Sequence, residues 1–162
     1  MSTGHIFVAE NDGNYVIKLV GDVRLTLCIS FDQFIASMFG GENFKTVVFD
    51  LREAEGIDST TLGLMAKISI GSRERGHGNP VVVTANPSIQ RLLVSMGFED
   101  IFELVSNRNL PFSGGVRPLA ENLEDESAIK AKVLEAHEIL MDLNQPNKVK
   151  FHELVETLQG KH

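Results

Sequence analysis

The densest group of side chains able to do chemistry is Asp58-Ser59-Thr60-Thr61, a carboxylate followed by three hydroxyls. An apolar, helix-compatible pattern follows it directly. Asp, Ser and Thr accept bonds from the unpaired N–H groups of a helix start, so capping accounts for one of the four. The others exceed that need. Converting one hydroxyl to a phosphate would change the local charge by about −1.5 to −2, a perturbation large enough to act as a switch. Met65 lies about one turn further on and could border the same surface, where a flexible thioether is useful.

Other chemistries are weaker. Asp50 closes an apolar run and could be a phospho-accepting aspartate, but the earlier segments offer no acidic pair to hold the metal such chemistry needs. Ser59 does not sit in a G-x-S-x-G elbow, and no Walker loop occurs. Gly76-His77-Gly78 lacks the rest of a dinucleotide fingerprint. The histidines at 5, 77, 137, 152 and 162 show no metal spacing and are expected on the surface or in loops. Cys28 reads as a small core residue, and Arg73, Arg75 and His77 as part of a solvated turn. No catalytic residue, metal or cofactor is expected.

The elements that would position Ser59 follow from hydrophobic periodicity. Segments 5–10 and 14–21 flank Asn11-Asp12-Gly13, a hairpin signal. Residues 25–39 repeat apolar positions at three and four, a helix ended by Gly40-Gly41. Residues 45–50 form a short β-branched run, with a loop leading to a helix over 60–72. Residues 80–84 read as a strand, 87–97 as a helix with Pro87 in its first turn, and 98–105 as a last strand. The order β-β-α-β-α-β-α-β gives an α/β fold, a mixed sheet mostly parallel after an antiparallel opening, with helices packed on it. Residues 106–126 have a linker composition in which Pro111, Gly114, Gly115 and Pro118 permit several arrangements. Two helical patterns follow: 127–143, with Ile129, Val133, Leu140 and Leu143 on a stripe, and 149–158, separated by Asn144-Gln145-Pro146-Asn147. The expected domains are thus 1–105, a linker 106–126, and a two-helix extension 127–162 that must bury its apolar stripes against its own domain, a second copy or a partner.

The chain has 162 residues, a net charge of −7 and a single cysteine. It needs no disulfide to fold, and its acidity argues against binding phosphate backbones without sequence preference. It has no signal-like start and no run of about 18 apolar residues, so a cytoplasmic protein without membrane insertion is expected.

The segments GDVRLT at 21–26, VVFDL…GIDSTTLGLM at 47–65 and NPSIQRLLVSMGFEDIF at 86–102 resemble the STAS domain of bacterial anti-sigma-factor antagonists, over roughly residues 5–105. The resemblance implies a protein-binding module rather than an enzyme. In that family the hydroxyl residue after the motif aspartate is phosphorylated by a kinase that also serves as the anti-sigma factor. By position that residue is Ser59, with Asp58 the aspartate. The usual pattern has glycine where this chain has Thr61, which leaves Thr60 and Thr61 as further candidates.

The partner surface would comprise Asp22, Arg24, Asp58, Ser59, Thr60, Thr61 and Met65. The partners implied are an anti-sigma factor with serine kinase activity and a phosphatase; the C-terminal helices, which have no counterpart in the family's minimal domain, are expected to pack on their own domain first, with a homodimer through them or a dedicated partner contact as the alternatives. The alternatives are a STAS regulatory subunit of a transporter or larger signalling complex without phosphorylation, and an enzyme using Ser59 or Asp50.

Overall fold

The computed structural model describes residues 3–106, 110, 115–123 and 125–160; Pro111 and Gly114 of the linker and His162 lie outside them. Strands β1 (His5–Asn11) and β2 (Asn14–Val23) form the expected hairpin, with Asp12 and Gly13 both at positive φ in its turn. Then follow α1 (Cys28–Gly40), β3 (Thr46–Ile57), α2 (Ser59–Glu74), β4 (Val81–Thr84), α3 (Pro87–Ser95), β5 (Glu103–Ser106), β6 (Arg117–Pro118), α4 (Glu126–Leu143) and α5 (Gln145–Leu158). The sheet order is β5-β4-β3-β2-β1-β6; β2 to β5 pair in parallel, and β1 is antiparallel to both neighbours.

Period-two alternation sends Ile6, Val8, Ile17, Leu19, Val47, Phe49 and Leu51 to one buried face, where they meet Phe31, Met38, Leu64 and Ile68 of the helices. Lys18, Asp50 and Arg52 alternate out of that face. Asp50 is nonetheless buried, because Arg52 clasps it with Nε and Nη2 at 2.9 and 3.0 Å. Burial pushes the Asp50 carboxyl up, but the bonds from Arg52 outweigh it and hold it below the usual carboxylate range.

Three segments depart from the periodicity reading. The strand expected to end at Asp50 continues to Ile57 because β2 also continues beside it, pairing Gly21 with Ala54 and Asp22 with Gly56 after register shifts. Gly56 leaves room there for Asp22 Oδ1, which a Cβ would approach to 2.7 Å. The strand expected from 98 begins only at Glu103, because Phe98, Ile101 and Phe102 turn inward as core anchors through a short 3-10 turn. The last helix starts at Gln145 rather than 149. Asn144 caps it through Asn147 N–H, and Pro146 sits in the first turn, where a missing N–H costs nothing.

Downstream of β5 the chain is tied back to the domain. Arg117 and Pro118 pair with β1, Leu119 N–H donates to the Ile6 carbonyl at 2.8 Å, and the Ser30 hydroxyl donates to the Ala120 carbonyl. Helix α4 then packs along α2, and the turn into α5 docks on the end of α3, where Asn144 and Asn147 Nδ2 both donate to the Met96 carbonyl, at 3.3 and 3.0 Å.

Candidate functional site at the start of α2

Asp58 adopts extended backbone just before α2, and its Oδ1 accepts the Thr61 N–H at 2.9 Å. Its Oδ2 accepts the Leu25 N–H at 2.7 Å, across 33 positions of sequence. One carboxylate thus caps the helix and staples the loop after β2 to it, so Asp58 is more than a cap. Beside it Arg24 pairs with Asp22 at 2.8 Å, an exposed contact that raises the guanidinium's affinity for its proton. Asp22, Arg24, Asp58 and Ser59 therefore form one surface.

The other expected members do not reach it. Met65 is 0% exposed, and Thr60 and Thr61 are 2% exposed each. Met65 belongs to the core rather than to the border of the surface: α2 is covered by the sheet on one side and by α4 on another, so little of its circumference stays open. Cys28 is buried beneath the same loop; desolvation, with Asp58 and Asp32 nearby, pushes its thiol up and makes it a poor nucleophile.

The residue that sequence reading misplaced is His137. Expected at the surface or in a loop, it is 2% exposed within α4, with its ring 5.1 Å from that of Phe151. Its Nδ1 lies 2.6 Å from the Val133 carbonyl, which can only accept, so Nδ1 carries the proton. Nε2, on the other side of the ring, shares a hydrogen bond with the Ser59 hydroxyl 2.6 Å away. The signal was present in the spacing: His137 falls four residues after Val133 and three before Leu140, on the stripe that had to be buried.

Helix α4 can approach this closely because Gly63, one turn after Ser59, has no side chain. A Cβ there would overlap the backbone of Ala136. Beside that crossing, Lys67 reaches Asp32 at 2.8 Å and Glu135 at 3.0 Å, while Lys132 reaches the same two acids at 2.8 and 3.1 Å. Burial pushes the Asp32 carboxyl up, but hydrogen bonds from Lys132 and Lys67 outweigh it and hold it below the usual range. Desolvation lowers Lys67, but its bonds to Asp32 and Glu135 prevail and leave it raised; Lys132 is raised chiefly by its bond to Asp32.

The Ser59–His137 pair has the contact distance of a nucleophile and its base, but His137 is oriented by a backbone carbonyl rather than a carboxylate. A cavity of about 800 Å³ lies elsewhere, lined by residues such as Thr84, Gln90, Arg91 and Ser106. Among the described residues no group of three or more His, Cys, Asp or Glu side chains could hold a metal ion, and no helix is long and apolar enough to cross a membrane.

No curated protein sequence matches the chain. Solved structures of like fold include two antagonists. A Thermotoga maritima protein assigned as an anti-sigma factor antagonist superposes with a TM-score of 0.53 at 18% identity, over 60% of this chain and 83% of its own. An anti-sigma factor antagonist from Mycobacterium paratuberculosis gives 0.51 at 21%, over 64% of this chain and 86% of its own. The family model of the STAS domain matches residues 5–110, from the first strand past β5, and the chain belongs to the STAS domain family.

Proposed function

We propose that this protein is an anti-sigma-factor antagonist: it binds an anti-sigma factor that is also a serine kinase, and phosphorylation of Ser59 switches it off. The observation that carries this reading is the double use of Asp58, which fixes the Asp22–Arg24 loop and the Ser59 turn as one rigid surface. Membership of the STAS family and the two antagonist structures of like fold support it. Burial of Thr60 and Thr61 supports Ser59 as the modified residue. The transfer would move the γ-phosphoryl of ATP to Ser59 Oγ, forming the new P–O bond, releasing ADP and passing the hydroxyl proton to a kinase base. The chain itself would act by binding and perform no catalysis, indirectly controlling transcription in the cytoplasm of a bacterium; a phosphatase would reset it.

Co-purification of the full chain with and without Ser59→Glu tests this. The substitution is expected to lower recovery of a kinase-like partner by about 5- to 150-fold, the usual span of coupling between a modification and a binding site. Equal recovery, or phosphosite mapping that finds Ser59 unmodified, would count against the switch. A transporter or larger signalling assembly as the captured partner would favour a STAS subunit that works without phosphorylation.

A further inference from the structure

We propose that the α4–α5 hairpin is an intramolecular cap on the Ser59 face, and that docked α4 and a phosphate on Ser59 exclude one another. This rests on the reading of Ser59 as the switch residue and adds a level of control to it. Helices α4 and α5 lie beyond the matched family region, so the cap is an addition to the STAS module rather than part of it.

The contact is too tight for the modification. Ser59 Oγ and His137 Nε2 are 2.6 Å apart, so phosphorus and three oxygens on Oγ would claim the space the imidazole fills. His137 has little freedom to move aside, being held at Nδ1 by Val133 and flanked by Phe151. Asp58, at the same helix start, would repel the added charge. The most economical response is for α4 to leave.

The attachment joins an apolar seam, Ala136, Leu140 and Phe151, to a polar edge: the ion pairs of Lys67 and Lys132 with Asp32 and Glu135 have side chains 15–37% exposed, so water can replace them when α4 separates. Residues 119–123 lead from β6 toward α4 without helix or strand, so the hairpin can separate while β6 stays paired.

Amide hydrogen exchange on the full chain tests the cap without kinase or partner. In Ser59→Glu, residues 133–143 of α4 and 60–64 of α2 are expected to exchange at least about 10-fold faster than in the wild type, while β2 and β3 keep their protection. Lys132→Glu, which leaves Ser59 and the core untouched but sets a third acid beside Asp32 and Glu135, should open the same segments. Unchanged α4 exchange in both variants would overturn the proposal, as would α4 that opens only together with the sheet. Neither result depends on whether Ser59 is phosphorylated in cells, so the cap and the phosphorylation reading can fail separately.

Discussion

Phe49 in β3 and Ala136 in α4 are both fully buried, yet their surroundings differ in kind. Phe49 sits in a strand paired on both sides, under Phe102 and among side chains from the helices, so removing it disturbs every layer at once. Ala136 is buried where α4 crosses Gly63 of α2, with Leu140 and Phe151 in the same core and the ion pairs of Lys67 and Lys132 at its edge. The strands and the helices between them share one interleaved core. The hairpin extends that core over α2 from one side, through Ala136, Leu140 and Phe151, and is edged by ion pairs, so an opening there need not break the sheet.

Three perturbations break or sharpen that contrast, from the largest effect to the smallest. Phe49→Ala should cost about 3–5 kcal/mol and lower the stability of strands and hairpin together, read as one shifted transition in urea. If α4 alone lost protection in that variant, the distinction would be wrong. Gly63→Ala places a methyl against the Ala136 backbone and should weaken hairpin docking by about 1–3 kcal/mol, the usual cost of overpacking. Exchange of α4 should rise while β2 and β3 hold, because alanine is a good helix former within α2.

The third perturbation is pH. The depressed Asp32 carboxyl contributes stability that is complete above the unfolded value of about 3.9 and is lost as pH falls through its lower folded value. The raised Lys67 and Lys132 contribute stability that is complete below about 10.4 and lost as pH rises through their higher folded values. Hairpin docking should therefore be strongest between these limits and loosen in acid before the sheet does. Proteolysis of α4 across a pH series, with Asp32→Asn as the control that removes the acid step, measures this.

Some of the site was legible because it is local. Asp58 and Ser59 adjoin in sequence, and a carboxylate before a helical pattern is a cap by its chemistry alone. Asp58 reaching Leu25 was not legible, since a second acceptor oxygen carries no mark of what it will bind. Met65 shows the converse limit: its place on the helix that starts at Ser59 was legible, but which side of α2 would stay open depended on a helix more than sixty residues away.

The amino-acid order by itself determined the sequence of elements, the mixed sheet and the placement of Ser59 at a helix entry, because period-two and period-3.6 burial are properties of short stretches of chain. It also determined that the stripe through Ile129, Val133, Leu140 and Leu143 had to be covered. Only the tertiary structure decided that α2 covers it, that Gly63 admits α4, and that His137 meets Ser59 across 78 positions. A stripe states that a face leaves water, whereas its neighbour is chosen by the shape and charge of surfaces that exist only once the rest of the chain has folded.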